Sequence, residues 1–301
     1  MKVLISGGSG LLGRNLSICL QKAGHEVAWL GRSLPKDLPE GILYFSWQPE
    51  KEKIDDAAVA WAEGLINLAG ASIGETRWNA RGKELIMNSR LLSVRTLTRA
   101  FSKRVPLKAF IGISGAGYYG EGLRFFTESD PPGGDFPARV AVQWEEAYED
   151  FRKKCQPEHF SILRMAVVLS AGGGALPEIL KPFRAGIGSE LGNGRQAFNW
   201  IHEKDAAGLL AASLQWNGVF NASAPAKDNN SSLSTCLNKV LGKPSLLPAV
   251  PAIVLKLMLG ERSSLVLKGN HSDVSKVIDQ GYQFEFEDLE TALADLLKKS
   301  V

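Results

Sequence analysis

The sequence of 301 residues has few cysteines, and neither positive nor negative charge dominates it. Its three cysteines, Cys19, Cys155 and Cys236, lie far apart, which fits neither a disulfide framework nor a zinc site with closely spaced ligands. We therefore expect free thiols in a reducing compartment and no bound metal. Because 35 Lys and Arg residues balance 32 Asp and Glu residues without a basic run, the composition argues against nucleic acid as a partner.

Long hydrophobic runs are also missing. No stretch approaches the ~20 apolar residues that a membrane-spanning helix requires, so we expect no membrane partner. The first predicted strand starts at Lys2, which leaves no room for a signal or transit peptide before it. Together these absences predict a cytoplasmic protein. A chain of this length buries roughly 75% of the surface that it exposes when unfolded, so it needs no cross-link for stability.

Apolar runs typical of strands recur along the chain and alternate with helical stretches. Continuous apolar strands that alternate with helices are typical of a parallel sheet with both faces covered. The sequence therefore predicts an α/β fold with a Rossmann-type, doubly wound parallel sheet. The runs are KVLIS (2–6), HEVAWL (25–30), GLINLAG (64–70), KAFIGIS (108–114), FSILRMAVVL (160–169) and GVFNAS (218–223).

After Leu169 the pattern changes to glycine-rich, irregular sequence and short helices. We expect residues 1–171 together with 200–225 to form the Rossmann domain. Residues 172–199 together with 226–301 are predicted to form a smaller C-terminal substrate lobe. Neither an internal repeat nor a linker marks this second part as an independent domain.

Three glycines follow the first strand at three-residue spacing: Gly7, Gly10 and Gly13. A strand before them and a helix after them are the context of a dinucleotide-binding turn. Gly7 would allow the tight turn, Gly10 would let the backbone approach a pyrophosphate, and Gly13 would let the helix pack against the strand. The N–H groups at the helix start, around Leu11 and Leu12, would bind the phosphates. A tight turn without ligand remains the alternative.

The end of the second strand predicts which dinucleotide binds. An NAD site would place Asp or Glu there to accept from the ribose 2′-hydroxyl. This sequence instead has Gly31, Arg32 and Ser33, with no acid until Asp37. A guanidinium offers a planar fork of donors that suits a 2′-phosphate, so we expect NADP (NADPH) rather than NAD. If Arg32 simply ends a strand in solvent, the preference stays open.

Seven further segments, in order along the chain, accompany the G-x-x-G-x-x-G spacing. Together they resemble the epimerase-like family of extended, atypical short-chain dehydrogenase/reductases, often labelled sugar-nucleotide epimerases. The likeness spans nearly the whole chain, including a C-terminal segment of unknown role. The segments are ETRWNARGKELIMNSR, SGAGYYGE, SDPPGGDF, QWEEAY, LRMAVVLSAGGGALP, GNGRQAFNWIHEKD and YQFEFEDLETALADLL.

The resemblance implies further cofactor contacts. The segment LINLAG is similar to the superfamily's Asn-Asn-Ala-Gly segment, whose backbone lies against the adenosine side of the cofactor. Glu84 and Arg90 belong to a helix that runs beside the cofactor, where Glu84 would accept from a ribose hydroxyl and Arg90 would reach a phosphate or carbonyl. A surface ion pair is the alternative for both. The backbone around Val168 is expected at the nicotinamide. The LINLAG residues concerned are Leu68, Ala69 and Gly70.

The superfamily's proton-transfer pair, a Tyr with a Lys four residues later, is missing from this sequence. None of the five tyrosines has Lys at that distance, and the nearest pair is Tyr148 with Arg152. Ser114 falls where the superfamily places a Ser or Thr that hydrogen-bonds the substrate oxygen, and Tyr118 follows in the same loop. These two are the candidate catalytic residues, although a loop serine often only binds turn amides.

Two other residues have alternative interpretations. Arg164 lies within a predicted strand, where it must either face the cleft or meet an acid, because burying it unpaired would be costly. His202, in NWIHEKD, would serve either as an acid or base near neutral pH or as a structural anchor of its loop.

Two functional hypotheses follow. The first is an NADP-dependent epimerase or oxidoreductase that acts on a small polar substrate, such as a sugar nucleotide. The second is a non-catalytic NADP-binding or redox-sensing protein, which the missing Tyr and Lys favour. The sequence makes no prediction of the oligomeric state.

Overall fold

The computed structural model describes residues 1–243 and 247–298, which fall into two compact units. Each unit is built from three separated segments of the chain. The predicted domain boundaries after residues 171, 199 and 225 stay predictions. The first unit comprises Met1–Gly115, Arg139–Arg164 and Ala207–Phe220, and the second comprises Ala116–Ala138, Met165–Ala206 and Asn221–Val301.

An eight-stranded sheet forms the centre of the fold. Its strands are β1 (Lys2–Ser6), β2 (Glu26–Gly31), β3 (Ile42–Gln48), β4 (Lys53–Ile54), β5 (Gly64–Asn67), β6 (Ala109–Gly115), β8 (His159–Met165) and β11 (Gly218–Ala222). The order is β11-β8-β6-β5-β1-β2-β3-β4. The remaining strands, β7 (Phe125–Phe126), β9 (Val167–Leu169), β10 (Trp200–His202) and β12 (His271–Ser272), form two small sheets that pair β9 with β10 and β7 with β12.

The sheet is parallel from β3 to β6, and β4 joins its edge antiparallel to β3. In this register Ile5 of β1 lies opposite Trp29 of β2 and Ile66 of β5. The strand order reverses between β1 and β5, which is the topological switch point where doubly wound sheets bind ligands. The α/β, Rossmann-type prediction is therefore confirmed.

Eleven α-helices lie within the described residues. They are α1 (Leu11–Lys22), α2 (Asp56–Trp61), α3 (Ala80–Phe101), α4 (Phe136–Cys155), α5 (Ala175–Arg184), α6 (Glu203–Ala212), α7 (Asn230–Leu241), α8 (Ala252–Leu259), α9 (Ser264–Leu267), α10 (Ser275–Asp279) and α11 (Leu289–Lys298). Across the described part of the chain, no helix combines the length and apolar character needed to cross a membrane.

Strand β3 is absent from the runs identified in the sequence. Its segment ILYFSWQ buries Ile42 and Trp47 at the ends, whereas Leu43 is 48% exposed. Strand β3 therefore does not read as one continuous buried run, unlike β2, which is buried over four consecutive residues. This strand was missed in the sequence, although residues 42–45 are all apolar or aromatic.

The core of the first unit packs α2, α3 and α4 against the sheet. Phe110 of β6 stacks on Phe151 of α4 with ring centroids 4.0 Å apart, and Tyr148 meets Phe110 edge-on at 5.5 Å. Trp144 and Tyr148 of α4 are also fully enclosed in this cluster. This packing holds α4 against β6.

The second unit has its own core, formed by α5, α7 and α11. Asp205, at the start of α6, binds residues 282–286 of the same unit. Its carboxylate accepts hydrogen bonds from the N–H groups of Glu285 and Phe286 and from the Tyr282 hydroxyl, at 2.8 to 3.1 Å. Burial raises the pKa of Asp205, although these donors oppose the shift. Asp205 is thus a structural anchor for residues 282–286.

Candidate functional site

The glycine turn after β1 has the geometry that its spacing predicts. Gly7 has a φ of +75°, and a Cβ there would lie 3.1 Å from the backbone carbon of Leu68. A Cβ on Gly13 would lie 2.5 Å from the carbonyl oxygen of Gly8, closer than real Cβ atoms approach backbone. Gly10 donates its N–H to the Gly7 carbonyl at 3.0 Å and is exposed. The turn therefore has no room for a side chain at Gly13 and favours glycine at Gly7.

The first turn of α1 lacks the usual side-chain partners. Gly10 is the N-cap in extended conformation, and no described side chain caps the helix. No acidic residue occurs in the first turn of this helix, as far as the described residues extend. Leu11 and Leu12 are half-buried, and Gly13 is buried. The N–H groups of this turn, together with the helix dipole, are suited to an external anion.

A fourth glycine, Gly8, was missed by the three-residue spacing. A Cβ on Gly8 would lie 2.2 Å from the Trp29 ring. Trp29 in turn donates its Nε1–H to the Ser17 hydroxyl of α1 at 2.8 Å. Gly8 therefore makes room for the tryptophan that joins β2 to α1. Its position beside Gly7 was the available sequence signal.

The carboxyl end of β2 exposes a cation. Gly31 is the last residue of β2, and its carbonyl accepts a hydrogen bond from the Tyr44 hydroxyl at 2.9 Å. Arg32 and Ser33 follow and are exposed. The Arg32 guanidinium lies 4.0 Å from Glu50, with both side chains mostly in solvent. Such an exposed pair contributes little to stability.

The first acid after β2 is already engaged. Asp37 forms a 2.8 Å ion pair with Arg14 of α1. The hydrogen-bonded Arg14 guanidinium lowers the pKa of the Asp37 carboxyl. Arg14 also lies over the Trp29 ring, 5.4 Å from its centroid. Asp37 thus neutralises Arg14 in this structure.

The loop after β5 is braced by Arg90. The Leu68 N–H donates to the Ser6 carbonyl at 3.0 Å, and Ala69 and Gly70 follow with increasing exposure. The Arg90 Nη1 donates to the carbonyls of Ala71 and Ile86, each at 2.9 Å. Burial lowers the pKa of Arg90 to about 10. Its guanidinium therefore binds backbone of its own chain.

Glu84 lies on α3, on the N-terminal side of Arg90. It is exposed, and its carboxylate accepts a 3.4 Å hydrogen bond from Asn88. Its predicted contact with a ribose hydroxyl stays a prediction.

A buried hydrogen-bond chain joins the carboxyl ends of β1 and β5. The Ser6 hydroxyl donates to Asn67 Oδ1 at 2.5 Å, and Asn67 Nδ2 donates to the Tyr148 hydroxyl at 3.0 Å. Tyr148 donates in turn to the Ile113 carbonyl at 3.2 Å. Sequence reasoning missed Asn67, although it lies within the LINLAG segment. The chain fixes the ends of two strands beside the glycine turn.

Tyr148 is not placed to exchange protons with solvent or substrate. Its side chain is fully buried, and burial raises its pKa well above the ordinary value. Arg152, four residues later, binds Glu149 at 2.8 Å. The pair Tyr148 and Arg152 therefore does not replace the superfamily's Tyr and Lys.

Ser114, Glu145 and Arg164 form a buried polar cluster at the ends of β6 and β8. The Ser114 hydroxyl donates to Glu145 Oε1 at 2.6 Å. Arg164 donates through Nε to Oε1 at 2.9 Å and through Nη2 to Oε2 at 2.8 Å. Arg164 thus meets an acid, one of its two predicted environments. Glu145 lies in the quoted segment QWEEAY, but no spacing rule connects it with Ser114.

The remaining candidate residues belong to the second unit. Tyr118 packs edge-on against Tyr119 at 5.3 Å. Val168 of β9 is half-buried and lies opposite Ile201 of β10. Ser114 and Tyr118 are therefore assigned to different units. No group of three or more potential metal ligands occurs in residues 1–243 and 247–298.

His202 is enclosed in the second unit. Its ring stacks on Phe286 with centroids 3.8 Å apart, and its Nδ1 accepts a hydrogen bond from the Lys204 N–H at 3.1 Å. Its Nε2 lies 3.4 Å from Asp295. Burial lowers the pKa of His202 to about 4, so the ring is neutral near pH 7. These contacts are those of a structural anchor.

Two family models match different parts of the chain, one N-terminal and one C-terminal. Residues 3–223 match the NAD dependent epimerase/dehydratase family. Residues 250–296 match a domain of unknown function (DUF1731). The second match covers helices α8 to α10 and most of α11, where the sequence analysis placed a segment of unknown role.

Similar proteins are known as sequences and as solved structures. The chain is 33% identical over 306 residues to the epimerase family protein SDR39U1 of Bos taurus, covering 99% of this chain and 100% of that protein. The structure of human epimerase family protein SDR39U1 with NADPH matches with a TM-score of 0.84 at 30% identity, covering 99% of both chains. The nucleoside-diphosphate sugar epimerase from Corynebacterium glutamicum matches with a TM-score of 0.78 at 27% identity, covering 99% of this chain and 58% of that chain.

The resemblance found in the motifs is thus confirmed by matches that extend over the whole length. Because residues 3–223 match one family and the cattle relative aligns from end to end, this chain belongs to the NAD dependent epimerase/dehydratase family.

Proposed function

We propose that this protein binds NADP and acts as an epimerase or oxidoreductase on a small polar substrate, with a sugar nucleotide as the leading candidate. The observation that carries the proposal is the first turn of α1, which no described side chain caps and which packs against a glycine turn with no room for a Cβ at Gly13. The NADPH named with the human structure and the sugar nucleotide named with the Corynebacterium protein support it.

The residues around the glycine turn fit a diphosphate. Amides from Leu11 to Gly13 would hold it, because the helix dipole and the first-turn N–H groups, which have no intrahelical acceptor, favour negative charge there. A Cβ on Gly13 would lie 2.5 Å from the Gly8 carbonyl oxygen, so α1 can approach the turn this closely only with glycine at this position. The backbone of the half-buried residues Leu68 and Ala69 and of the exposed Gly70 would lie against the adenosine, as in the superfamily that the motifs resemble.

Arg32 supplies the preference for NADP. Its guanidinium is 76% exposed beyond the end of β2, where a 2′-phosphate would be bound together with Ser33. The carboxylate that an NAD site needs is not available from Asp37, which is paired with Arg14. When bound, NADP supplies the acceptor or donor of a hydride. We further propose that Glu84, Arg90 and Val168 border the cofactor.

Calorimetry on ligand-stripped protein tests cofactor binding. We expect heat with NADPH and NADP, and a weaker response with NADH. Incubation with NADP and a panel of nucleotide sugars, aldehydes and ketones should then reveal turnover. No heat with either dinucleotide would refute the proposal, and binding without any turnover would favour the alternative below.

A non-catalytic NADP-binding or redox-sensing protein is the second candidate function. The burial and elevated pKa of Tyr148 favour it, because the nearest substitute for the proton-transfer pair cannot reach substrate. In that case NADPH would stabilise the fold by about 2.7 kcal/mol at about a hundred times its Kd. The nicotinamide would never be consumed. Steady oxidation of NADPH by any substrate would exclude this candidate.

A further inference from the structure

The cluster of Ser114, Glu145 and Arg164 differs from an ordinary surface ion pair, because its arginine is buried and a serine hydroxyl also binds the carboxylate. We propose that Ser114 accepts the proton of a substrate hydroxyl while passing its own proton to Glu145, which Arg164 holds in place. The proposal rests on the proposed function and replaces the missing Tyr and Lys with residues that no motif connects. Ser114 would be the catalytic residue, and Glu145 and Arg164 the positioning residues.

The hydrogen bond between Ser114 and Glu145 has a defined direction. A carboxylate only accepts and a guanidinium only donates, so Glu145 paired with Arg164 has no proton to give to the serine. The Ser114 hydrogen is therefore committed to Glu145 Oε1, at 2.6 Å. What remains on the Ser114 oxygen is its lone pairs. They favour a ligand that donates a hydrogen bond, such as an alcohol, over a carbonyl that only accepts one.

The Glu145 carboxylate is held in a fixed orientation. Arg164 binds both carboxylate oxygens from a side chain that is 4% exposed, so the carboxylate cannot turn away from Ser114. The Glu145 side chain itself keeps 12% exposure. By contrast, Glu149 lies one turn further along α4 and forms a solvent-exposed pair with Arg152. The buried pair thus has a third polar partner and a fixed orientation, which the exposed pair lacks.

Ser114 lies at the carboxyl end of a strand of the parallel sheet. Ser114 is the second-last residue of β6, which pairs with β5, one of the two strands at the switch point. Parallel sheets bind ligands at the carboxyl ends of their strands. Its residue is 4% exposed, so a hydrogen bond formed there is shielded from water. Shielding strengthens a charge-assisted hydrogen bond relative to one in solvent.

Two protons move in the proposed step, one from the substrate to Ser114 and one from Ser114 to Glu145. The O–H bond of the substrate breaks, its proton forms a new O–H bond at Ser114, and the former Ser114 proton forms an O–H bond at Glu145 Oε1. Glu145 becomes a neutral carboxylic acid, and the substrate oxygen forms a C=O bond. The hydride that the substrate carbon loses is taken by NADP, the co-substrate of the proposed function. The free protein is thus prepared to oxidise an alcohol first, and the reverse sequence returns both the proton and the hydride.

Small probes test the polarity at Ser114 without a known substrate. Trifluoroethanol donates a strong hydrogen bond, whereas acetone only accepts one. With protein loaded with NADP, ligand-observed NMR should show trifluoroethanol binding at least about tenfold tighter than acetone, the scale of one hydrogen bond. Ser114→Ala, which leaves Glu145 paired with Arg164, should abolish the difference. Equal binding of the two probes by the wild type, or binding of neither, would overturn the proposal.

A paired replacement separates proton transfer from folding. Glu145→Leu combined with Arg164→Met removes both charges at similar volume, which often preserves stability. With an alcohol found by the substrate panel, this double variant and Ser114→Ala should lose about a hundredfold or more in kcat, the range of general acid–base catalysis. Their KM and NADP affinity should change little. Retention of near-normal kcat by a folded double variant would overturn the proposal.

Glu149→Gln is the matched control, because it removes a carboxylate from the same helix and frees an arginine without touching Ser114. It should keep the wild-type kcat and the wild-type preference for trifluoroethanol. Cofactor calorimetry distinguishes two failures: loss of NADP binding in the wild type refutes the proposed function, whereas normal NADP binding without probe preference refutes only the role of the cluster.

Discussion

Two strand ends of the first unit use different chemistry. At the end of β1 the structure offers backbone, because Gly7 and Gly13 exclude side chains and α1 begins without a side-chain cap. At the end of β6 it offers side chains, because Ser114 is bonded to Glu145 and through it to Arg164. Backbone suits a constant group such as a diphosphate, whereas a side-chain cluster suits the group that reacts.

The two regions also differ in what stabilises them. The glycine turn depends on the lack of a Cβ atom at Gly13, so an added methyl group there should disturb it. The cluster depends on compensation between buried charges, so removal of one partner should disturb it most. Substitutions in each region therefore test the contrast from opposite directions.

The largest expected effect is at the side-chain cluster. Arg164→Met leaves the Glu145 carboxylate without its buried partner, which should lower the free energy of unfolding by about 3–5 kcal/mol. Urea unfolding measures the loss. Arg152→Met is the control, since its pair with Glu149 is exposed and should cost less than about 1 kcal/mol. Equal losses in the two variants would show that the cluster is no more sensitive than a surface pair.

Buried polar residues of the second unit extend the contrast to pH. Burial lowers the pKa of His202 to about 4, from 6.5, with Asp295, Glu203 and Glu285 opposing the shift and Lys204 adding to it. The unfolded chain therefore binds more protons between these values. The stability contributed by neutral His202 is complete above pH 6.5, falls as the pH falls towards 4, and totals about 3 kcal/mol.

His202→Gln removes this titration. Urea unfolding near pH 7 and near pH 4.5 should show a smaller acid-induced loss in the variant than in the wild type. The same acid-induced loss in both proteins would mean that other groups account for it.

An added methyl group tests the backbone region. Gly13→Ala places a Cβ 2.5 Å from the Gly8 carbonyl, so α1 must move away from the turn. We expect a loss of about 1–3 kcal/mol in stability, the usual cost of overpacking, and weaker NADPH binding. Thermal unfolding and calorimetry measure the two effects. Gly74→Ala meets no atom within 4 Å and should change neither.

The smallest effect is expected at Arg32. Arg32→Ala should weaken NADPH binding about tenfold, the scale of one charge-assisted contact, and leave NADH binding unchanged. Calorimetry with both cofactors provides the measurement. Arg99→Ala removes another exposed arginine and serves as the control. Equal weakening for NADPH and NADH would show that Arg32 does not recognise the 2′-phosphate.

Much of the first unit was predictable because it depends on local sequence. The runs around β1, β2, β5 and β6 were identified within a residue or a few at each end, and the Rossmann-type sheet followed from their alternation with helices. Strand β3 was missed, although residues 42–45 are all apolar or aromatic. Which of them are buried is a property of the assembled sheet, where β3 lies next to the edge strand β4.

The candidate site was predictable only in part, for a related reason. Ser114 could be singled out from its place in the motifs, but Glu145 could not, since it lies 31 residues away on a helix. Whether Arg164 would meet an acid or a cleft stayed open until α4 was packed against β6 and β8. Asn67 and Gly8 were similarly missed, because their roles come from Tyr148 and Trp29.

The sequence by itself determined the glycine turn, the alternation of strands and helices, and the family. These features depend on backbone conformation and on hydrophobic burial, which are set within a few neighbouring residues. Only the tertiary structure decided that Ser114, Glu145 and Arg164 meet, and that Tyr148 is enclosed. Buried polar groups must find partners wherever folding brings them, so those partners are chosen by packing between distant elements.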